Sequence, residues 1–555
     1  MSTAVLPTSR PAGPAAEPSS GRVARTTTRL VRRWAPSAGE GVLALALTVV
    51  LTALAARIHG NPLHKAAQVS ALSRMQLLVS GTAVVVVGVL GRYAVRGSGR
   101  RWDLLLRLGA AAVVGVTGGF LGGAEAWALH GTPWPINGET GDNGRMIRWA
   151  QQVQAHGTFD NIYPPGMPHI GAFVAEHFTH GNVPEAFKPI YIFCLAFTPV
   201  LVFLFWRMLV APLPAAAIAV LGALTSPMAT KPYSPLVAML LVPVVAKLAQ
   251  WLRSSPGVTP ARAALRGLWL GLLCGGLFLV YSGWHVFTFP AIAALLLALF
   301  PWRSGWAGRL RGLALAASFG AGFLALAAGY LWQMLGATGT RDLLCNSYTL
   351  ADPASTTVSL TLVADPWPVL LLGAGLAVWL GLRRSTVLAV LFCTAGVWLM
   401  RFYLASRMAA DQNVRLFPHT AIELRYLFIV LLVLGLALGA GTLARALAVS
   451  GTAFARQGAV AVLLALFVVA GVGGSAAAQG ILPTAPSLRQ SGTATWDAHQ
   501  LRDQDTGHCP RYAVGGTCRT MPALAPDDGT VTQTGPLPCP AFGFKDGRRL
   551  DAPPR

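Results

Sequence analysis

The stretch that decides the fold of this chain is PWPINGETGDNGRMIRWAQQVQAHGTFDNIYPPGMPHIG, residues 133–171, which we call the polar island. The island is rich in acidic, basic and histidine side chains, whereas the runs before and after it are strongly apolar. An apolar run of about 20 residues is the length that a helix needs to cross a bilayer. The island is therefore predicted to be a long loop between two membrane spans.

The composition of the whole chain agrees with this interpretation. Of its 555 residues, 54% are hydrophobic and only 12% are charged, and the mean hydropathy is +0.54. A soluble protein carries about 25% charged residues. The sequence therefore predicts an all-α polytopic membrane protein and excludes an ordinary soluble one.

About 13 transmembrane helices are predicted, each with bounds uncertain by several residues. The predicted spans are 41–57, 75–91, 103–124, 189–208, 212–229, 236–252, 267–282, 286–300, 312–333, 367–382, 385–404, 421–440 and 459–479.

The formal net charge of +22 is spread over short basic segments between the spans. Arginine clusters on one side of a membrane follow the positive-inside rule, so we expect no nucleic-acid partner. This pattern places the N-terminus in the cytoplasm and the C-terminus outside, in a multi-pass protein of the plasma membrane. The polar island and the loops 334–366 and 404–420 are then outside.

The chain is predicted to divide into three regions. Residues 1–38 are predicted to be a disordered basic cytoplasmic tail, because they lack apolar periodicity. Residues 39–479 form the multi-spanning domain, with an outer loop at 125–188. Residues 480–555 form an extracytoplasmic C-terminal region, too poor in apolar residues to build a large core alone.

Seven cysteines divide between spans and outer segments. Four are predicted to lie outside, where disulfides form: Cys345, Cys509, Cys518 and Cys539. Two disulfides can join them in three ways. We favour a local Cys509–Cys518 bond and a Cys345–Cys539 bond that ties the tail to loop 334–366, and a metal site is the alternative.

Within the island, Asn137-Gly138 predicts a turn, since both residues tolerate positive φ. Asp142 and Asn143 can cap a helix from about Gly144 to His156. The periodicity of that helix predicts an amphipathic helix lying along the membrane surface. Asp142 is then either a cap with no further role, or a general base or metal ligand at the mouth of a cavity.

The element Tyr163-Pro164-Pro165-Gly166 follows. Two prolines favour an extended backbone and the glycine permits a sharp turn, so Tyr163 is predicted to be a rigid platform for a sugar or a prenyl chain. His177 and His180 are three residues apart, but no HExxH pattern accompanies them, and we predict no metal site there.

The run GDNGRMIRWAQQ…NIYPPGMPHIGA resembles the N-terminal domain of actinobacterial galactan arabinofuranosyltransferases, which are GT-C glycosyltransferases. Its matching positions are Asp142, Asn143 and Arg145, followed by Tyr163-Pro164-Pro165-Gly166. The resemblance covers about forty residues (142–171 and their surroundings) and is architectural elsewhere; the tail after the last span is short for that family. It implies a GT-C-like fold, decaprenylphosphoryl arabinose or a similar polyprenyl-phosphate sugar as donor, and a cell-wall polysaccharide as acceptor.

Such a transfer needs a carboxylate to accept the proton of the acceptor hydroxyl and cations to hold the lipid phosphate. Asp142 is predicted to be the base, with Glu139 as its substitute. Donor or acceptor binding is predicted for Asn143, Arg145, Arg148, Tyr163, His169, Lys231, Trp284, His285, Arg401, Arg407, Arg415 and His419. Head-group contacts and ion pairs with Asp411 or Glu423 are the alternative for the cations of loop 404–420, and an interfacial aromatic belt for Trp284.

No cofactor is required by this chemistry, and a divalent cation is left open. Mannosyl transfer to protein or glycolipid is an alternative that the sequence barely separates from arabinosyl transfer. A transporter or flippase of lipid-linked sugars is a second alternative, disfavoured because the spans looked nearly free of charge apart from Lys247. A non-catalytic envelope assembly protein is a third.

Overall fold

The computed structural model describes residues 20–96, 99–139, 141–159, 163–225, 228–337, 367–411, 416–449, 453–482, 494–520, 544–545 and 548–549. The predictions for Arg415, Cys345, Cys539 and most of loop 334–366 lie outside the described residues.

The described chain is almost entirely helical. Its helices are α1 (Ser20–Ala56), α2 (Lys65–Arg96), α3 (Gly99–Ala128), α4 (Gly141–His156), α5 (Gly166–Phe178), α6 (Val183–Arg207), α7 (Pro212–Thr225), α8 (Tyr233–Arg253), α9 (Pro260–Val280), α10 (Gly283–Leu299), α11 (Trp306–Ala337), α12 (Trp367–Gly381), α13 (Ser385–Asp411), α14 (Phe417–Ala446), α15 (Ala453–Ile481) and α16 (Ala494–Ala498). Two short strands, β1 (Phe544–Lys545) and β2 (Arg548–Arg549), pair antiparallel near the C-terminus.

Each of the predicted spans falls on a helix of its own. In the described part of the chain, ten helices are long and apolar enough to cross a membrane, and three apolar helices are shorter: Pro212–Thr225, Gly283–Leu299 and Pro368–Gly381. The prediction of an all-α multi-pass membrane protein is therefore confirmed. A count of thirteen spans stays a prediction, because it depends on how the three short helices sit in the bilayer.

Helix α3 lies near the centre of the bundle because glycines on two of its faces allow close packing. A Cβ on Gly115 would lie 2.6 Å from the carbonyl oxygen of Ala44 on α1, and one on Gly118 would lie 2.3 Å from that of Ala196 on α6. Small residues at such spacings let membrane helices approach to backbone contact. Helix α3 is consequently one of the two most buried spans, together with α8.

The outward faces of the bundle are apolar. Leu77, Val84, Trp332 and Trp379 are each more than two-thirds exposed. A contiguous apolar surface of this kind marks contact with another apolar phase. Lipid is the phase that the length and composition of these helices require.

Helix α1 begins at Ser20, so the second half of the segment that we predicted to be disordered is helical. Arginine, which recurs between Arg22 and Arg33, is a good helix former, and its propensity prevails there over the lack of apolar periodicity. The C-terminal region contains the predicted Cys509–Cys518 disulfide, with Cα atoms 5.5 Å apart.

Candidate functional site

The island folds as predicted up to the start of α4. Asn137 and Gly138 both have positive φ, at 70° and 52°, and the amide of Gly138 donates to the carbonyl of Pro135 at 3.0 Å. The buried Asn143 donates from Nδ2 to the carbonyl of Ile136. The turn and the first residues of α4 are therefore joined into one unit.

Asp142 lies inside the first turn of α4, which starts at Gly141, and not at a cap before Gly144 as predicted. Gly144 permits this earlier start, because a Cβ there would collide with the carbonyl oxygen of Glu139 at 1.7 Å. A carboxylate in the first turn is favoured by the helix dipole. Asp142 is thus not a helix cap. Its position in the first turn leaves its side chain free to reach other elements.

The partner of Asp142 is Lys231, which precedes α8. The Lys231 ammonium Nζ donates to Asp142 Oδ2 at 2.7 Å. The lysine side chain is 9% exposed and the aspartate side chain is 45% exposed. The pair therefore has a buried cationic half and an anionic half that faces the surroundings.

Aromatic rings surround the buried half of this pair. Lys231 Nζ lies 5.4 Å from the ring centroid of Tyr163 and 4.9 Å from that of Tyr281, distances at which ring faces attract a cation. The hydroxyls of Tyr163 and Tyr233 are 3.0 Å apart. The rings of Tyr281 and Trp284 follow at 5.7 Å. We call Tyr163, Tyr233, Tyr281 and Trp284 the aromatic cage.

The electrostatics of the pair follow from this geometry. Burial opposes ionisation of Asp142, but the charge and the hydrogen bond of Lys231, aided by Arg145 and His419, prevail and lower the pKa of the carboxyl below its ordinary value. Burial also works against the charge on Lys231, yet Tyr163, Tyr281 and Asp142 raise its pKa well above the ordinary value. Both groups are therefore charged at neutral pH.

The cage continues into α10 and α14. Trp284 is fully buried and donates from Nε1 to the carbonyl of Ser234 at 2.7 Å, and its ring lies 5.8 Å from that of the buried His419. The structure thus brings Lys231, Trp284 and His419, three residues predicted to bind donor or acceptor, to the surroundings of Asp142, and their binding role stays a prediction. His285 is different: it is fully buried against Phe278 and Phe289, because adjacent residues of a helix point about 100° apart.

The outward basic loop that we predicted at 404–420 is shorter than expected, since α13 continues to Asp411. Arg401 lies within this helix and is buried; it donates to Thr420 Oγ1 at 2.9 Å and stacks on the ring of Phe417 at 3.9 Å. It therefore joins α13 to α14 in this structure. Arg407 is exposed on the same helix.

The other island residues predicted to bind donor or acceptor have exposed side chains. Arg145, Arg148 and His169 are exposed, and His169 Nδ1 is hydrogen-bonded to the carbonyl of Pro165 at 2.8 Å. Pro165 is not extended but has helical angles, φ −75° and ψ −15°. The glycine after it serves close packing and not a sharp turn, because a Cβ on Gly166 would lie 2.7 Å from the carbonyl oxygen of Leu279.

Glu139, the predicted substitute base, is occupied by the C-terminal region. Its carboxylate pairs with Arg519 at 3.2 Å, and Arg519 also lies 3.9 Å from Asp497. Further contacts hold the same region to the bundle: Trp134 Nε1 donates to the carbonyl of Arg502 at 3.1 Å, and Asn182 Nδ2 donates to Asp505 at 2.8 Å. Residues 494–520, which we call the tail clamp, thus pack on the first part of the island.

Two carboxyls lie buried inside spans: sequence reasoning missed Glu125 and considered Glu423 only as an ion-pair partner. Glu125 on α3 and Glu423 on α14 are fully buried, and neither has a hydrogen-bond partner among the described residues. The interpretation that the spans are nearly free of charge was therefore wrong. Both lie close to helix ends facing the island, so hydropathy averaged over a span concealed them.

Two of the three cage tyrosines, Tyr233 and Tyr281, were also missed. Tyr233 and Tyr281 stand at the ends of predicted spans, where aromatic residues are common as interfacial anchors. The break between α9 and α10 at Tyr281-Ser282 was the available signal, because a broken helix at the edge of the membrane places polar backbone beside a cavity.

A half-open cavity of about 510 Å³, lined mostly by apolar surface, adjoins this end of the bundle. Leu224, Met228, Ala229 and Thr230 line one side, Ile136 of the island a second, and Ala476, Ala477 and Gly480 of α15 a third. Thr230 immediately precedes Lys231 in the chain. The lining segment therefore ends one residue before Lys231 in the chain.

A scan against protein-family models finds no match for this chain, and a search of curated proteins finds none either. Among the residues that the structure describes, no group of three or more His, Cys, Asp or Glu side chains is placed to hold a metal ion.

Proposed function

We propose that the chain is a membrane glycosyltransferase that moves a sugar from a polyprenyl-phosphate donor to a cell-envelope glycan. The observation that carries this proposal is the Asp142–Lys231 pair, which places a partly exposed carboxylate on a buried cation within an aromatic cage. A base, a phosphate-binding cation and stacking surfaces are the groups that this reaction needs.

The reaction balances with these groups. The acceptor hydroxyl loses its proton to Asp142, and its oxygen forms a bond to the anomeric carbon of the sugar. The bond from that carbon to the phosphate oxygen breaks, and the polyprenyl phosphate leaves with the electron pair. Lys231 stabilises the departing anion, since an ammonium in a poorly solvated site interacts strongly with developing negative charge.

The aromatic cage suits the sugar of such a donor. Sugars stack on aromatic faces, and Tyr163, which packs on Trp149 with ring centroids 4.9 Å apart, is held firmly enough to orient one. The resemblance of residues 142–166 to galactan arabinofuranosyltransferases suggests arabinofuranose as the sugar, a GT-C-like fold and a cell-wall galactan as acceptor. The arginine distribution suggests that transfer occurs on the outer face of the plasma membrane.

A second candidate is a transporter or flippase of lipid-linked sugars. It is favoured by Glu125 and Glu423, because unpaired carboxyls buried within spans are typical of proton-coupled transport. Transport predicts that Glu423→Gln abolishes movement of the lipid across a vesicle membrane. Transferase function predicts that Asp142→Asn abolishes release of polyprenyl phosphate while Glu423→Gln leaves most of it.

The deciding experiment incubates purified protein with polyprenyl-phosphate sugars and a galactan oligosaccharide, and follows the release of polyprenyl phosphate and the growth of the oligosaccharide. The expected result is release that depends on acceptor and on Asp142. Asp497→Asn, which removes a carboxylate from the tail clamp, is the matched control. Full release by Asp142→Asn would contradict the role of this residue, and no release with any donor would contradict the proposed function.

A further inference from the structure

We propose that Lys231 is a binding site for the phosphate of a lipid, that Asp142 occupies this site at rest, and that the arriving phosphate displaces the carboxylate. This inference rests on the proposed function and deepens it. Asp142 would then be available as the base only when a donor is bound.

The two halves of the pair differ in freedom. Lys231 is fixed by its backbone, since its amide donates to the carbonyl of Met228 at 2.9 Å and its carbonyl accepts from Ser234 at 3.1 Å. Pro232 follows and fixes its own φ. The lysine side chain is buried between two rings, whereas the Asp142 side chain is 45% exposed. When the pair opens, Asp142 is the member that moves.

The displaced carboxylate would differ chemically from the paired one. In the pair, its negative charge is stabilised by the ammonium at 2.7 Å, so it is a weak base. Once a phosphate takes the ammonium, the carboxylate loses this partner and gains an anionic neighbour, and both changes raise its proton affinity. Donor binding would therefore free the base and strengthen it in a single step.

The cavity indicates which phosphate the site accepts. It is apolar, it has a volume of about 510 Å³, and three of its lining residues, Met228, Ala229 and Thr230, directly precede Lys231. A hydrocarbon chain in this cavity would lie against the segment that continues into Lys231. A phosphate attached to a long chain is thus favoured over free phosphate, since each CH₂ group that the chain buries raises the affinity about fourfold.

The test measures binding of polyprenyl phosphate to the purified protein in nanodiscs of neutral phosphatidylcholine. We expect Asp142→Asn to bind about fivefold more tightly than the unmodified protein, because the internal competitor is weakened. Lys231→Gln should bind at least about tenfold more weakly, and Lys231→Arg should retain binding. Asp497→Asn should match the unmodified protein, which controls for the loss of one negative charge.

Tighter binding cannot result from misfolding, so the Asp142→Asn result is decisive. Unchanged or weaker binding by this variant would overturn the inference, even if its transfer activity is lost as proposed. Tighter binding with full transfer activity would support the site and contradict Asp142 as the base. Inorganic phosphate and phosphatidylglycerol vesicles form the other arms: equal competition by either would overturn a site built for a polyprenyl phosphate.

Discussion

Asp142 Oδ2 accepts a hydrogen bond from Lys231 Nζ at 2.7 Å across 89 residues of sequence. This contact joins α4, which lies on the island, to the segment that starts α8. It brings together a residue predicted as a base and a cation that the sequence marked only weakly.

Replacing Lys231 with methionine should shift the acid limb of the transfer reaction to higher pH. With Lys231 present, the pKa of Asp142 is below its ordinary value of 3.8, so the carboxylate persists in acid. Without the ammonium, burial is opposed only by the weaker effects of Arg145 and His419, so that pKa rises. The stabilisation given by the pair exists above the ordinary pKa and is lost as pH falls through the lowered one. The pH dependence of kcat/KM measures the shift, and an unmoved limb would separate Asp142 from the reaction.

Filling the apolar cavity should lower the affinity for lipids with long chains more than for lipids with short chains. Ala476 lines the cavity and is exposed, so Ala476→Trp should place its ring there without disturbing the core. We expect a loss of affinity of about tenfold for a long polyprenyl phosphate and almost none for a short-chain analogue. Val472→Trp, on an exposed position of the same helix outside the cavity lining, is the control. Equal losses for both chain lengths would contradict the assignment of the cavity to the chain.

Removing Arg519 should loosen the tail clamp and reduce activity without abolishing it. Arg519→Ala leaves Glu139 without its partner at 3.2 Å, and Glu139 lies close to the first turn of α4. The pair is partly exposed, so we expect a decrease of about two- to fivefold in kcat/KM. Arg519→Lys should restore part of it. If instead Arg519→Ala equals Asp142→Asn in severity, Glu139 would have to be reconsidered as the base.

Acid should release the tail clamp through His499. This buried side chain donates from Nε2 to the carbonyl of Ala128 at 2.9 Å, and its pKa is lowered to about 4, chiefly by burial and further by Lys188 and His130. The unfolded clamp would bind a proton near pH 6.5 and the docked one would not, so docking weakens as pH falls from about 6.5 towards 4.

Limited proteolysis of residues 494–520 between pH 7 and pH 5 measures this release. His499→Gln can keep the hydrogen bond to Ala128 and cannot become charged, so its cleavage should vary less with pH. A pH dependence equal to that of the unmodified protein would exclude His499 as its source.

The sidedness of the island can be read from cysteine labelling in intact cells. Arg148 is exposed on α4, and Arg303 is exposed in the turn between α10 and α11 at the opposite end of the bundle. Arg148→Cys should react with a membrane-impermeant maleimide and Arg303→Cys should not. Among the described residues, the free cysteines at 194, 274 and 393 are buried, and the protein without an introduced cysteine measures the remaining background. The reverse pattern would invert the proposed topology.

Local signals made much of the architecture predictable. Every apolar segment became a helix because a bilayer requires each backbone amide to be satisfied within its own helix. The Asn137-Gly138 turn and the Cys509–Cys518 bond were predictable because each depends only on residues close in sequence. Local signals failed where a residue distant in sequence decides the role of a position. Gly166 was predicted to permit a sharp turn, but it is needed for close packing against the backbone of Leu279.

The sequence by itself determined that this is a helical membrane protein with a polar island, because hydropathy and turn propensity are local properties. It also singled out Asp142. Only the tertiary structure decided that Asp142 meets Lys231, that Tyr163, Tyr233 and Tyr281 enclose the cation, and that Glu139 belongs to Arg519. These pairings arise where the ends of α4, α8, α9 and the tail clamp converge. Which helix ends converge is set by helix packing, a property of the whole bundle that no single stretch of sequence carries.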